Sequence, residues 1–232
     1  MIYIFDIDGT ICTARQHMEK DFIETFRKFC LLNQVVLVTG STKDLIMEQI
    51  PSSILQLVTL YTCSGAEGIS FDIDSEIRDN KLIDSLNVEL NLSFYPEKVG
   101  NHICKRKGMI NFSIVGRNAN NEQREEYSKY DKINKERTLI IERLKKRFIY
   151  YDFLIGGETS IDITKKGINK SLVARDLCLR YKDPKMVFIA NSIIDGGNDY
   201  PLAKYIKDNN LGMSIQVEYP MLKEHFYMLN NF

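Results

Sequence analysis

FDIDGT, residues 5–10, decides how this chain is read: Phe5, Asp6, Ile7, Asp8, Gly9 and Thr10. It follows the apolar start MIYI and so ends a strand candidate. Successive strand side chains point to opposite faces, which puts Asp6 and Asp8 on one face and Ile7 on the other. Two carboxylates that close repel unless a cation or a difference in protonation relieves them. The pattern asks for a metal, or for a division of labour between a nucleophile and an acid. A strand that merely runs into an Asp-Gly turn is the plainer alternative, and six residues leave both open.

Working outward, apolar runs alternate with helical spacings. Met18, Phe22, Phe26 and Phe29 recur as on one helix face; QVVLV (34–38) is a β-branched strand; TKDLIMEQI forms the next helix before Pro51; LVTLYTC (57–63) is a further strand. This rhythm predicts an α/β fold with a parallel, Rossmann-like sheet. The character changes near residue 80. MINFSIV (109–115), DFLIG (152–156) and SIDIT (160–164) read as strands, and the charged stretch 121–148 as a helix or helix pair exposed on one side. The first rhythm then resumes: a helix over 169–181 with Asn169 as N-cap, the strand KMVFIAN (185–191), the loop SIIDGGND, the strand LGMSIQV (211–217) and a final helix. The expected organisation is a core of residues 1–79 and 166–232 interrupted by an α+β cap of residues 80–165.

Composition narrows the partners. Among 232 residues, 31 Lys and Arg cancel 31 Asp and Glu, so bulk charge argues for neither nucleic acid nor an anionic membrane. No stretch reaches the roughly 20 apolar residues of a membrane helix, and the start carries no basic region followed by an apolar run. Five dispersed cysteines without a CxxC pair and three dispersed histidines give a zinc site little support. Free thiols in a reducing cytosol are the simplest expectation.

Ligands of open parallel sheets bind beyond the carboxyl ends of the strands. The loops there are FDIDGT, VTGST, CSGAEG and IANSIIDGGND. Glycines let backbone approach a ligand, and the N–H groups of a following helix favour an anion. A carboxylate-lined, phosphate-sized pocket suits a hard cation, Mg²⁺ first. The site therefore reads as one for phosphoryl transfer. A second FDID at 71–74 runs into Ser75 and Glu76 without Gly-Thr, and reads as an arm of a hairpin with Ile77 and Arg78.

FDIDGT resembles the nucleophile motif of the haloacid dehalogenase superfamily. Over nearly its whole length the chain is similar to eukaryotic-type phosphomannomutases, through FDIDGTICTARQ (5–16), RKGMINFSIVGRNANNEQREEYSKYDK (106–132), IGGETSIDI (155–163) and GGNDY (196–200). The resemblance implies that Asp6 is the nucleophile and becomes an aspartyl-phosphate, and that Asp8 is the acid/base. Ser41, with Thr39 as a rival, would hold phosphoryl oxygens, and Lys170 would steady the phosphate. Arg15, Arg106, Arg117 and Arg124 match positions that contact the sugar phosphate or close over it, and Ser160 and Asp162 match sugar contacts. Arginine suits a second phosphate through paired hydrogen bonds. The family's Gly-Asp before GGND is here Ala190-Asn191, so the expected Mg²⁺ donors are Asp6, Asp8, Asn191, Asp195 and Asp199, with weakened affinity. The loop 64–68 also departs from the family's Asn-Gly pattern.

The implied activity is interconversion of mannose 6-phosphate and mannose 1-phosphate through a hexose 1,6-bisphosphate that also primes Asp6. The small-molecule partners are hexose phosphates, the cap closes during turnover, and homodimers form through the cap. A sugar-phosphate phosphatase on the same scaffold is the alternative, and a sugar-phosphate-binding protein without chemistry the third reading.

Overall fold

The computed structural model describes residues 1–73 and 76–218. In chain order the elements are β1 (Ile2–Asp6), α1 (Lys20–Leu32), β2 (Gln34–Val38), α2 (Lys43–Gln49), α3 (Ser52–Leu55), β3 (Thr59–Tyr61), α4 (Asn80–Leu92), β4 (Ile103–Arg106), β5 (Met109–Phe112), α5 (Asn121–Asn134), α6 (Glu136–Arg147), β6 (Tyr151–Gly156), β7 (Ser160–Lys165), α7 (Ser171–Arg180), β8 (Met186–Ala190), α8 (Tyr200–Asp208) and β9 (Gly212–Gln216). They fall into two compact units. The first takes residues 1–73, 169–195 and those from Asp199; the second takes 74–168 and Gly196–Asn198.

The first unit is built on a sheet of order β3-β2-β1-β8-β9, parallel throughout. Period-two alternation divides its side chains between two cores. Phe5, Val35, Leu37, Val187 and Ile189 pack with Phe22, Phe26 and Phe29 of α1 and with Ile46, Ile50 and Ile54. Phe5 meets Phe26 edge-on at 5.2 Å between ring centres, a geometry that suits aromatic quadrupoles. Ile2, Ile4, Val36, Val38, Phe188 and Ala190 pack on the other face with Val173, Ala174 and Leu177 of α7 and Leu202 and Ile206 of α8. Asp6 has the parity of Ile2 and Ile4. It therefore leaves the sheet on the α7 side.

The second unit is an antiparallel sheet of order β4-β5-β7-β6. Ile110, Phe112, Phe153, Ile161 and Ile163 pack with Leu82 and Leu86 of α4, Tyr127 of α5, and Ile140, Ile141 and Leu144 of α6. The alternate residues, Asn111 and Asp162 among them, lie on the opposite face and pair in register.

Several expectations are sharpened here. The stretch 121–148 is a helix pair, broken where Lys135 adopts a left-handed φ of 54°. Strand 57–63 shrinks to Thr59–Tyr61, and 109–115 to Met109–Phe112. Residues 71–73 and 76–78 form no strand; Asp74 and Ser75 of the expected hairpin lie outside the described residues. Asn169 is not the N-cap of α7. Lys170 occupies that position, while the Asn169 carboxamide oxygen accepts the Ser171 N–H at 3.0 Å from one residue further out. The second unit's edges at 74 and 168 replace 80 and 165, and Gly196–Asn198 joins it because the Ile155 N–H donates to the Gly196 carbonyl. Helices α4 and α8 and strand β4 were not expected. The final helix falls beyond residue 218 and so outside the description. All five cysteines are free thiols, and no described helix is long and apolar enough to cross a membrane.

Candidate active site

At the carboxyl end of β1 the chain turns sharply. The N–H groups of Thr10, Ile11 and Cys12 all converge on the Ile7 carbonyl, and Gly9 makes the turn at φ +85°. A side chain there would also strike Asn191, whose Nδ2 lies 2.5 Å from the position of an added Cβ. Glycine is required twice over.

Asp6, pointing toward α7, meets Lys170. The buried Lys170 ammonium donates to Asp6 Oδ1 at 2.7 Å and to Asp199 Oδ1 at 2.5 Å. Asp199 is held from its other side, since Oδ2 accepts the Ser192 N–H at 3.2 Å. Among the described residues, Asp6 Oδ2 has only a long contact with the Thr10 hydroxyl, at 3.5 Å. Burial pushes the Asp6 carboxyl up to about 7, with Asp199 and Asp8 adding to the rise and Lys170 opposing it. Burial alone would lower Lys170, but Asp199 and Asp6 together outweigh it and hold the ammonium charged, above its ordinary value. One cation thus serves two buried carboxylates, and Asp6 carries the uncompensated charge.

Asp8 faces a different set. Its Oδ1 accepts the Arg15 backbone N–H at 2.9 Å and Gln49 Nε2 at 2.9 Å; its Oδ2 accepts the Ser41 hydroxyl at 3.3 Å. Arg15 has φ 59°, an uncommon conformation for a residue with a side chain, and that conformation presents its N–H. Thr39 is buried, and its Oγ1 accepts the Ser41 N–H at 3.0 Å. Ser41 is therefore tied to Asp8 and Thr39 to Ser41.

Among the described residues, no three Asp, Glu, His or Cys side chains gather as a metal-holding group. Of the five expected donors, Asp6, Asp8 and Asp199 each accept hydrogen bonds with lone pairs to spare, the Asn191 carboxamide lies over Gly9, and Asp195 is exposed. Mg²⁺ uses few protein oxygens and keeps several waters, so this sparse oxygen set and the excess negative charge at Asp6 fit it.

The second unit places Arg106 at the end of β4, Arg117 in the loop after β5 with its N–H on the Asn101 carbonyl at 3.1 Å, and Arg124 in α5. A capping box of Asn120 and Gln123 opens α5 one turn before the buried Arg124. On β7, Ser160 Oγ donates to the Gly156 carbonyl at 2.7 Å. Asp162 Oδ1 accepts Asn111 Nδ2 at 2.7 Å, and its Oδ2 accepts Asn198 Nδ2 at 3.3 Å.

Three participants escape sequence reading. Gln49 holds Asp8, and its only signal is a polar residue on the buried face that Ile46 and Ile50 define. Arg137 and Asp131 form a buried ion pair at 2.8 Å, from which Arg137 Nη1 reaches the carbonyls of Gly157 and Ser160 at 2.9 and 3.1 Å. Asp131 shares a face with Arg124 and Tyr127, and that spacing was the available clue.

A parallel sheet interrupted by an α+β unit, with a buried Asp at the end of β1 and a second Asp two residues on, defines the haloacid-dehalogenase-like class. Its fold is shared with the N-terminally truncated, IMP-bound IMP-nucleotidase of Plasmodium falciparum, at TM-score 0.63 and 12% identity over 99% of this chain and 67% of that one. Within the class the chain belongs to the eukaryotic phosphomannomutase family, whose family model matches residues 19–224. The phosphomannomutase of Arabidopsis thaliana is 29% identical over 230 residues, covering 93% of this chain and 91% of the relative. That of Saccharomyces cerevisiae is 28% identical over 233 residues, covering 93% and 89%.

Proposed function

We propose that this protein is a Mg²⁺-dependent phosphomannomutase that exchanges mannose 6-phosphate and mannose 1-phosphate through an aspartyl-phosphate on Asp6 and a hexose 1,6-bisphosphate. The observation that carries the reading is the buried Asp6 beside Lys170, with Asp8 separately held two residues on. Lys170 occupies Asp6 Oδ1, which leaves Oδ2 to bond phosphorus. As that bond forms, the phosphorus–oxygen bond to the sugar breaks and a proton passes from Asp8 to the departing oxygen. In the return step Asp8 takes the proton of the other hydroxyl, whose oxygen attacks the aspartyl-phosphate and frees Asp6. Lys170, between Asp6 and Asp199, stays charged beside the transferring group.

Mg²⁺ held by Asp6 and Asn191 would offset the crowding of negative charge there. Ser41 and Thr39 supply hydroxyls beside Asp8 for the phosphoryl oxygens. Arg106, Arg117 and Arg124, with Arg15, would take the second phosphate, and Ser160 and Asp162 the sugar hydroxyls. Family membership and the number of arginines support the mutase, since hydrolysis needs only one well-held phosphate.

One assay tests the reading. Mannose 1-phosphate, Mg²⁺ and a trace of hexose 1,6-bisphosphate are supplied, and mannose 6-phosphate and free phosphate are both measured. Isomer without free phosphate is expected. Free phosphate alone would make the protein a phosphatase, and neither product would leave a binding protein.

A further inference from the structure

We infer that Gln49 is a positioning residue that decides which oxygen of Asp8 carries the transferred proton. The inference rests on the reading of Asp8 as acid/base. Oδ1 accepts from two groups that can only donate, the Arg15 amide and Gln49 Nε2, both at 2.9 Å. The orientation of the Gln49 carboxamide follows from its neighbours on that side: Asp8 Oδ1, the Gln16 carbonyl at 3.5 Å and Cys12 Sγ at 4.0 Å, whose own proton goes to the Ile7 carbonyl, all accept. A proton on Oδ1 would have to displace one of these donors. Among the described residues, Oδ2 meets only the Ser41 hydroxyl, at 3.3 Å, and a hydroxyl donates to a carboxylate or accepts from a carboxylic acid by rotating its proton.

The proton therefore resides on Oδ2 when Asp8 is the acid, and Oδ1 stays an acceptor in both protonation states. Gln49 is the last residue of α2 and is buried, and its main-chain carbonyl accepts the Met18 N–H at 3.0 Å, which anchors the backbone from which the side chain reaches Asp8. In the forward step the Asp6–phosphorus bond forms, the phosphorus–oxygen bond breaks, and the Oδ2 proton goes to the leaving oxygen. Ser41 Oγ, freed from accepting, turns its own proton back to Oδ2.

A purely structural glutamine would slow every substrate alike, whereas a residue that aims the acid matters only where the leaving group needs a proton. Gln49→Met, similar in volume without a donor, is compared with the parent and with Asp8→Asn in single turnovers on a hexose 1,6-bisphosphate and on 4-nitrophenyl phosphate, with Mg²⁺ present. Nitrophenolate leaves without protonation, so its release reports attack by Asp6 alone. We expect Gln49→Met to slow the sugar-phosphate step on the order of 10- to 100-fold, at or below the lower end of the roughly 10²–10⁴ that general acid catalysis supplies, and nitrophenolate release less than about threefold. Asp8→Asn shows the same bias, larger.

Equal losses on the two substrates, or no loss on either, overturn the role of Gln49 while a biased Asp8→Asn leaves the Asp8 reading standing. An unbiased Asp8→Asn overturns that reading and the inference with it. If Gln49→Met does not fold, Gln49→Glu decides the matter: a carboxyl there draws a shared proton to Oδ1, so the same bias is expected, and its absence refutes the role.

Discussion

The reaction corner of the first unit and the polar face of the second are built on opposite electrostatic plans. Around Asp6, one lysine serves two buried carboxylates and charge is left over; burial first, and the charges of Asp199 and Asp8 after it, raise the carboxyl to about 7 against the pull of Lys170. Around Asp162, two carboxamides meet the two carboxylate oxygens, and nearby Arg137 is matched by Asp131 before it grips the turn between β6 and β7. The first region gives up stability and holds a group poised to change its bonding. In the second, the charges around Asp162 and Arg137 are matched by their neighbours. A corner that chemistry requires to be unbalanced should gain stability when its charge is removed; a satisfied face should only lose it.

The largest expected effect tests that contrast. Asp6→Asn should abolish turnover, a loss of roughly 10⁴-fold or more given what a general acid alone supplies. It should also raise the melting temperature of the chelator-treated protein. The sign follows from the raised pKa: the stability Asp6 contributes is fully present below its unfolded value of 3.8 and is lost as pH rises through about 7. The amide never ionises, so the gain in melting temperature should be several degrees at pH 8 and smaller at pH 5. A variant less stable than the parent at pH 8 would remove the idea of an unbalanced corner.

Lys170 is the next test. Lys170→Met leaves Asp6 and Asp199 facing one another without their cation, which should cost roughly 3–5 kcal/mol in urea unfolding, as for other broken buried pairs. Adding Asp199→Asn to Lys170→Met should recover most of that loss. If the double variant is no better than the single one, the lysine acts by filling space rather than by charge.

Much of this corner is legible in the sequence because period two and period 3.6 are local. FDIDGT put two acids at the end of β1, although the strand stops at Asp6 and Asp8 turns to Gln49 and the Arg15 N–H while Asp6 meets Lys170. The Phe22, Phe26, Phe29 spacing is the face of α1 that meets Phe5. The Lys170–Asp6 pair joins residues 164 apart, and only resemblance pointed to it. Gln49 looked like any helix residue before a proline, since nothing in TKDLIMEQI says that a carboxylate will lie beyond its buried face. Helix α8 was hidden because GGND reads as loop, although Leu202 and Ile206 follow at helical spacing and Pro201 suits a first turn. Strand β4 is short, and Lys105 and Arg106 break its apolar pattern. The role of Arg137 was out of reach because its partners are carbonyls, and main-chain groups carry no signature in a sequence.

On the satisfied face, Gly156 gives the sharper probe. An added Cβ would lie 2.7 Å from the Asp162 carboxyl carbon, and Asp162 is held from two sides. Gly156→Ala should therefore cost roughly 1–3 kcal/mol of stability, the usual range for overpacking. It should also raise the sugar-phosphate requirement in the mutase assay while nitrophenolate release from 4-nitrophenyl phosphate stays near the parental rate. Equal losses on the two substrates would separate Asp162 from sugar recognition.

The smallest effect comes from a second buried aspartate in the first unit, and it isolates what makes Asp6 unusual. Asp176 is closed to solvent like Asp6 but lies nearer the surface, and its carboxyl is held below its ordinary value. Burial pushes it up, but the Ser70 hydroxyl and N–H, the Tyr61 hydroxyl at 2.5 Å and Arg180 at 2.6 Å together pull it down. A depressed carboxyl stabilises the fold above its unfolded pKa of 3.8, and that contribution is lost as pH falls through the lower folded value. Asp176→Asn should then be less stable than the parent at pH 7, by roughly 1 kcal/mol for weakened hydrogen bonds to a charged group, with the gap closing below about pH 4. Two buried aspartates changed to the same amide would thus move stability in opposite directions. A stabilising Asp176→Asn would mean that burial alone, and not the count of donors, sets the balance at both sites.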